Sequence, residues 1–247
     1  MALSANKTVK NQPGFLRRNW IYLYGTLLFV LFNGVYMLNH NQGAALVDIN
    51  KFRSPFWDVF FKIATRFAEP VAYLAILLIV AAFSYRRGIF AVISGTAAGV
   101  ISALLKYFFS QPRPMRWFFD NYESVWHSLN HFEEHYRNWS DSSSFPSGHA
   151  TSAFALYGFL AFNADKRRRS IQLLCLFFAL LVALSRMYLL YHFLRDVTAG
   201  AALGLLIGIA VHLLQRRFFP NAAWLDQGWM HRYREIPPAK EKVSPDV

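Results

Sequence analysis

The stretch Trp20-Ile-Tyr-Leu-Tyr-Gly-Thr-Leu-Leu-Phe-Val-Leu-Phe-Asn-Gly-Val-Tyr-Met-Leu38 contains no charged side chain. It is about as long as the roughly 20 apolar residues that a helix needs to cross a bilayer. The rest of the chain has a similar character, because 55% of its 247 residues are hydrophobic and only 16% are charged. An ordinary soluble domain carries more charge than this. The composition therefore predicts an all-α, polytopic membrane protein.

Further apolar runs follow the first one at intervals along the chain. Two of them, 71–85 and 150–164, are shorter than a span needs, but each can borrow a helical turn from its flanks. The first run is longer than the core of a signal peptide, and no small-x-small cleavage site follows it, so we expect it to remain as a span. We predict six transmembrane helices, at 20–38, 71–85, 89–109, 150–164, 171–190 and 197–214.

The net charge of +12 is distributed unevenly between the two predicted sides of the membrane. If both termini are cytoplasmic, that side holds 16 of the 26 Lys and Arg but only 5 of the 14 Asp and Glu. Such a basic excess is typical of cytoplasmic segments, so the charge indicates topology rather than nucleic-acid binding. Residues 1–19 then form a cytoplasmic segment, 20–215 the membrane domain with an outer loop at 110–146, and 216–247 a cytoplasmic tail.

Three short polar motifs interrupt the apolar sequence, each at an end of a predicted span. Alternating the spans from a cytoplasmic N-terminus brings all three to the same non-cytoplasmic face. Ionisable side chains at membrane depth are costly and usually functional, so we expect the motifs to form one site. They are Lys106-Tyr-Phe-Phe-Ser-Gln-Pro-Arg113-Pro114, Pro146-Ser147-Gly148-His149, and Ser185-Arg186 followed by His192 and Asp196.

The cations of these motifs suit a phosphate group. Lys106, Arg113 and Arg186 can neutralise the charge that spreads over a phosphoryl group in transfer, without a metal. Ser147 and Gly148 precede a predicted helix, whose free N–H groups favour an anion. The sequence therefore predicts that these five residues form a phosphate pocket.

The histidines of the motifs suit the transfer of that phosphate. His192 and Asp196 are four residues apart, which on a helix puts them on the same face. The carboxylate can hold one ring nitrogen protonated and leave the other free to attack phosphorus. His149, from a different span, can then act as general acid toward the leaving oxygen. We predict a phosphohistidine at His192, which water hydrolyses with His149 as the base.

The patterns Lys-x6-Arg-Pro, Pro-Ser-Gly-His and Ser-Arg-x5-His-x3-Asp resemble the three signature motifs of the type 2 phosphatidic acid phosphatase (PAP2) family, which also includes vanadium haloperoxidases. Every signature position is filled, and the resemblance covers roughly residues 20–215. It implies a six-helix membrane core and metal-independent hydrolysis, with His192 as nucleophile, Asp196 as its partner and His149 as acid. It also implies that the phosphate pocket consists of Lys106, Arg113, Ser147, Gly148 and Arg186.

Two further segments on the predicted outer face, 54–69 and the outer loop, have recognisable sequence patterns. Apolar residues between 54 and 69 recur at helical spacing, which predicts an amphipathic helix on the membrane surface. In the outer loop, His127, His131 and His135 recur every four residues beside Glu123 and Glu134. Three helical turns would separate the outer imidazoles by about 12 Å, so we expect no metal site there.

We therefore predict an enzyme that hydrolyses a lipid phosphate or pyrophosphate monoester at the non-cytoplasmic face of a bacterial inner membrane. It should need no metal and no cofactor, and its partners should be the bilayer and the lipid phosphate, with no nucleic acid and no obligatory protein. Two alternatives use the same residues: a lipid-linked phosphotransferase and a non-enzymatic lipid-phosphate transporter. The motifs recognise only phosphate, so the lipid stays open among undecaprenyl pyrophosphate, phosphatidylglycerol phosphate, phosphatidate and lipid A.

Overall fold

The computed structural model describes residues 14–132, 143–165, 168–218 and 222–230, and within these ranges every regular element is a helix. The predicted all-α class is confirmed for this part of the chain. Short 3-10 turns occur at Arg66–Ala68 and Ala223–Asp226. The helices are α1 (Phe15–Arg18), α2 (Trp20–Asn39), α3 (Ala44–Asn50), α4 (Pro55–Thr65), α5 (Pro70–Phe83), α6 (Tyr85–Phe109), α7 (Pro114–Asn121), α8 (Glu123–Ser128), α9 (Gly148–Phe162), α10 (Arg168–Tyr188) and α11 (Leu194–Arg217).

Each predicted apolar run coincides with a helix, but only some of these helices are long enough to span a membrane. In the described ranges, α2, α6, α10 and α11 satisfy both length and composition. A fifth span exists only if the segment Pro55–Ala68 and α5, which meet at a 53° bend, count as one. Helix α9 has 15 residues, fewer than the roughly 20 that a span needs. The structure thus supports an integral membrane protein with four or five spans, and six remains a prediction.

Helix α9 lies at the centre of the bundle, where it packs against α6, α10 and α11. From Ala153 to its end this helix is apolar or aromatic on all sides, and the side chains of Phe154, Leu156 and Phe159 are fully buried. A helix that is hydrophobic all round is expected in such an enclosed position. By contrast, Leu28 and Phe32 of α2 are each 68% exposed, as suits a helix that faces lipid.

Helices α9 and α11 approach each other closely through glycine. A Cβ atom added at Gly200 of α11 would lie 2.8 Å from the backbone oxygen of Ser147 and 3.0 Å from the Cβ of Ala150. Small residues allow this kind of backbone approach between membrane helices. The contact places the beginning of α9 beside the beginning of α11, where the second and third motifs lie.

Helix α6 ends within the first motif because of the backbone conformation of Ser110 and the proline that follows it. Ser110 adopts a left-handed conformation with φ 42°, and Pro112 cannot continue a helix in its interior. Helix α7 then begins with Pro114 at its first position and Arg113 as the preceding cap residue. Arg113 therefore lies on the turn between α6 and α7.

The outer segments are also partly helical. Helix α4 lies within the predicted amphipathic segment, and the Ser54 hydroxyl caps it by accepting a hydrogen bond from the Trp57 N–H at 3.4 Å. The outer loop contains α7 and α8, and its residues 133–142 lie outside the described ranges. His127 is in α8, His131 follows the end of that helix, and His135 is not among the described residues.

Candidate active site

The predicted site residues come from four helices and meet at one end of the bundle. Lys106 is in the last turn of α6, Arg186 in the last turn of α10 and Asp196 in the first turn of α11. Lys106 lies close enough to Arg113, Arg186 and Asp196 for their charges to influence its ionisation. The ionisation of His149 is influenced in the same way by Lys106, Arg113, Arg186 and His192. The structure therefore brings the three motifs together into one cluster.

His192 is held by the turn that follows α10. Leu190 takes a left-handed conformation with φ 56° and reverses the chain. The backbone N–H groups of Tyr191 and His192 then both donate to the carbonyl oxygen of Arg186, at 3.0 and 3.2 Å. This arrangement keeps the nucleophile candidate beside a phosphate-binding candidate, and it leaves His192 only 1% exposed.

Asp196 is fully buried beside His192, but the two side chains do not form a short direct hydrogen bond. His192 Nδ1 lies 3.6 Å from Asp196 Oδ2, whereas N–H···O bonds usually measure 2.7–3.2 Å between heavy atoms. The same carboxylate oxygen accepts from the Phe193 N–H at 2.9 Å and from the Ser144 hydroxyl. Ser144 Oγ is also 3.4 Å from His192 Nδ1.

Because α11 begins at Leu194, His192 precedes the helix on which the sequence reasoning placed both residues. Asp196 reaches back toward it as a helix N-terminal cap, since its side chain accepts the Phe193 N–H. Burial lowers the pKa of the His192 imidazole to about 3, against a smaller opposing effect of the neighbouring Asp196 carboxylate. The ring is therefore neutral at physiological pH, which is the form that can act as a nucleophile.

Two arginines are arranged around Tyr191. The Arg186 guanidinium lies over the Tyr191 ring, 4.1 Å from its centroid, and its Nη1 donates to Thr65 Oγ1 at 2.8 Å. Arg113 Nη1 donates to the Tyr191 carbonyl oxygen at 3.3 Å. Arg186 is 7% exposed, and within the described part of the chain its Nε atom has no hydrogen-bond partner. A buried guanidinium with a donor to spare suits an anionic ligand.

Ser147 begins α9 as its cap. Its Oγ accepts from the Ala150 N–H at 3.4 Å, and its backbone N–H donates to the Asp196 carbonyl oxygen at 3.0 Å. Because that Oγ acts as an acceptor, the hydroxyl proton stays available for a ligand oxygen. Gly148 and His149 follow in the first turn of α9 and are partly exposed.

Four residues that contact the cluster were not predicted from the sequence: Ser144, Thr65, Tyr191 and Arg195. Arg195 lies 3.5 Å from the second carboxylate oxygen of Asp196 and donates to Gln111 Oε1 at 3.2 Å. Ser144 precedes the second motif by two residues, and Arg195 adjoins Asp196. Their closeness to the motifs along the chain was the only sequence feature that could have indicated a place in the site. Thr65 carried no signal, because it is 121 residues from Arg186.

Two cavities open near this cluster. One of about 200 Å³ is bordered by the turn between α2 and α3 and by Phe193, Leu194 and Arg195. Another of about 300 Å³ is mainly apolar and lies between α10 and the segment that includes Phe52 and Trp57. The linings of these two cavities include residues next to the motifs but none of the predicted site residues themselves.

The described ranges contain no group of three or more His, Cys, Asp or Glu residues that could hold a metal ion. In the outer loop, His127 lies 3.7 Å from Glu123, and His131 Nε2 is 2.6 Å from the Trp126 carbonyl oxygen. These two imidazoles thus have local protein contacts.

The protein is a helical membrane bundle with three cations, two imidazoles and a buried carboxylate at one end. This combination is typical of membrane proteins that bind a phosphate group. A family model described as the PAP2 superfamily matches residues 87–220. That match covers more than half of the chain, so the protein belongs to the PAP2 superfamily.

Comparison with individual proteins agrees with this membership. A segment of 73 residues is 37% identical to phosphatidylglycerophosphatase B of Bacillus subtilis (strain 168), and it covers 27% of this chain and 36% of that relative. The match therefore spans only about a third of the relative's length.

Two solved structures share the fold. One is a transmembrane PAP2-type phosphatidylglycerolphosphate phosphatase from Bacillus subtilis, with a TM-score of 0.56 and 22% identity over 81% of this chain and 98% of that one. The other is Aquifex aeolicus LpxE, with a TM-score of 0.57 and 25% identity over 69% of this chain and 93% of that one. Both are similar to this protein in the arrangement of helices, and the first of these similarities concerns the fold alone.

Proposed function

We propose that this protein is a phosphatase that hydrolyses a phosphate or pyrophosphate monoester of a membrane lipid, without a metal and through a phosphohistidine at His192. One observation carries the proposal: a buried, neutral imidazole lies in the same cluster as Lys106, Arg113 and Arg186. Family membership and the names of the relatives support the same reaction class.

In the first step, Lys106, Arg113, Arg186 and the Ser147 hydroxyl hold the phosphate oxygens and neutralise their charge. The unprotonated Nε2 of His192 attacks phosphorus, and the bond from phosphorus to the lipid oxygen breaks. The negative charge of the bound phosphate favours the protonated form of the neighbouring His149. His149 then gives its proton to that oxygen, so the dephosphorylated lipid leaves as a neutral alcohol. For a pyrophosphate substrate, the leaving group is the lipid monophosphate.

In the second step, a water molecule attacks the phosphohistidine. His149, now neutral, takes a proton from that water, and the bond between phosphorus and Nε2 breaks. Inorganic phosphate leaves, and His192 returns to its neutral form with its proton on Nδ1. The two steps together consume one water molecule and restore both histidines.

The test is phosphate release from phosphatidylglycerol phosphate in detergent micelles, a substrate that the relatives' names favour. Activity should persist in EDTA and be blocked by vanadate. His192→Ala should lower kcat by about three orders of magnitude or more, as expected for loss of a nucleophile. His127→Ala, an exposed histidine on α8, is the control and should keep its activity. Undiminished turnover in His192→Ala would overturn the mechanism.

The same experiment separates the two alternative functions. If the phosphoryl group is recovered on a lipid or glycan acceptor rather than as inorganic phosphate, the protein is a phosphotransferase. If His192→Ala moves lipid phosphate across vesicle membranes as well as the wild type does, the protein is a transporter. A panel of phosphatidate, undecaprenyl pyrophosphate and lipid A, assayed beside phosphatidylglycerol phosphate, then identifies the preferred lipid.

We also propose six spans with cytoplasmic termini, and a site on the non-cytoplasmic side of a bacterial inner membrane. The basic excess on the predicted inner segments supports this orientation. In a Cys175→Ala background, Ser124→Cys in α8 should react with an impermeant maleimide in intact cells. Ser170→Cys, at the opposite end of the bundle, should react only after lysis. The reverse pattern would invert the topology.

A further inference from the structure

Ser144 lies between the carboxylate and the imidazole of the site. Its hydroxyl donates to Asp196 Oδ2 and is 3.4 Å from His192 Nδ1. The direct separation of Nδ1 and Oδ2 is 3.6 Å, so both distances to Nδ1 exceed the usual 2.7–3.2 Å and the one to the serine is shorter. Of the two acceptors near Nδ1, the serine oxygen is therefore the closer one.

The position of Ser144 is fixed by the backbone around it. Its own N–H donates to the carbonyl oxygen of Gln111 at 2.7 Å, on the turn that also carries Arg113. The residue is 0% exposed, so water does not compete with its hydroxyl. Ser144 thus joins the turn of the first motif to the buried carboxylate of the third.

The donors and acceptors around an ionised Asp196 favour one arrangement of protons. An ionised Asp196 can only accept, so the Ser144 proton points to Oδ2. The Ser144 oxygen then has lone pairs left to accept the proton on His192 Nδ1. Phe193 N–H supplies a second donor to Oδ2, at 2.9 Å, and holds the carboxylate in place. With Nδ1 protonated, Nε2 carries the lone pair that faces phosphorus.

We infer that Ser144 is a positioning residue, which bridges Asp196 to His192 and fixes the tautomer and orientation of the attacking ring. The inference rests on the proposed function, because it gives Ser144 a role only if His192 is the nucleophile. Ser144 itself does not touch the reacting phosphate.

The first test compares Ser144→Ala with Ser144→Thr, using phosphatidylglycerol phosphate in detergent micelles. Loss of a hydrogen bond to a charged group typically costs about 10- to 100-fold, so kcat should fall by that factor in Ser144→Ala while KM stays within about twofold. Ser144→Thr keeps the hydroxyl and should recover most of the kcat. Equal kcat values for wild type and Ser144→Ala would overturn the inference.

The matched control is Ser143→Ala. Ser143 belongs to the same loop, and its hydroxyl accepts from the Gln111 N–H at 3.0 Å and donates to the Phe145 carbonyl oxygen at 3.4 Å. Ser143→Ala should keep kcat within about threefold, because a hydrogen bond between neutral groups contributes little. If both serine variants lose the same activity, the loop matters only for structure and the inference fails. Should Ser144→Ala aggregate, Ser144→Cys, of similar volume but with a weak donor, replaces it.

A double-mutant cycle asks whether Ser144 acts through Asp196. Residues that belong to one hydrogen-bond network are not additive, so Ser144→Ala should cost less than about threefold in kcat when Asp196→Asn is already present. A full additional loss in that background would mean that the serine acts independently, contrary to the inference. Activity in His192→Ala would instead contradict the proposed function, so the two failures are distinguishable.

Discussion

Arg186 at the motif end of the helix bundle and the arginines at the opposite end differ in their partners. At the end remote from the motifs, Arg18, Arg87 and Arg168 all pair with the single carboxylate of Asp165. At the motif end, no carboxylate among the described residues lies within ion-pair distance of Arg186, which is held by Thr65 and Tyr191 instead. The protein thus balances the charges of the first three arginines with a carboxylate, whereas the charge of Arg186 has no such partner among the described residues.

This difference bears on the free-energy cost of burying Arg186 at the motif end. Burying a cation without a paired anion is unfavourable, and ionisable groups in membrane proteins that bear this cost are usually functional. Arg186 is 7% exposed, whereas the Asp165 cluster is accessible to water, since the aspartate side chain is 55% exposed. Phosphate binding would supply the missing negative charge.

The largest expected effect contrasts one arginine from each end. Arg186→Ala should lower kcat/KM by about 10²- to 10³-fold, which is typical for removal of a donor that stabilises transition-state charge. Arg87→Ala should leave kcat/KM within about twofold, because its partner is Asp165 and not the substrate. Arg186→Lys, which keeps the charge but loses the forked donor, should fall between them. Similar losses in Arg186→Ala and Arg87→Ala would remove the functional distinction between the two ends.

A second effect should appear in thermal unfolding with vanadate, an anion that resembles phosphate in transfer. At about 100 times its Kd, a ligand stabilises the folded state by about 2.7 kcal/mol, or roughly 5–10 °C of Tm for a domain of this size. The wild type and Asp165→Asn should both show this shift. Arg186→Ala should lose most of it, and an unchanged shift there would place the anion elsewhere.

A smaller effect should come from the buried imidazole at the motif end. Burial lowers the pKa of His192 to about 3, so between there and its ordinary value of about 6.5 the unfolded chain binds a proton that the folded chain does not. Stability therefore rises with pH through this window and is lost on acidification. Lowering the pH from about 7 to about 5 should reduce Tm less in His192→Gln than in the wild type. Identical slopes would mean that His192 is not desolvated.

The smallest effect should come from the remote end. Asp165→Asn removes the common partner of three arginines, but exposed ion pairs contribute only about 0–1 kcal/mol. We expect Tm to fall by at most about 4 °C and phosphate release at room temperature to remain normal. A loss of activity without a loss of Tm would show that the two ends are coupled.

The apolar runs were enough to predict where the long helices lie, because a bilayer requires continuous apolar helices. They were insufficient to count the spans. Helix α5 has 14 residues and α9 has 15, so neither meets the length criterion alone, and the enclosure of α9 depends on tertiary packing that no local pattern records. The helical outer segment near α4 was predictable from its spacing, whereas α7 and α8 were not anticipated in the outer loop.

The motifs predicted which charged residues gather, since each lies at a span end. Their detailed arrangement was not predictable, because it depends on residues distant in sequence. Ser144 meets Asp196 across 52 positions, and Thr65 meets Arg186 across 121. The sequence spacing also suggested that His192 and Asp196 share a helix, whereas the chain reverses at Leu190 and the contact forms at the beginning of α11.

The short central helix has a consequence for how the protein is made. Helix α9 is too short to cross the bilayer alone, and it contacts α6, α10 and α11. During synthesis, α10 and α11 emerge after α9, so α9 can form its packing contacts with them only after both have been made. We therefore expect nascent chains that end near residue 165 to be poorly integrated and rapidly degraded, and chains that extend beyond α11 to become stable.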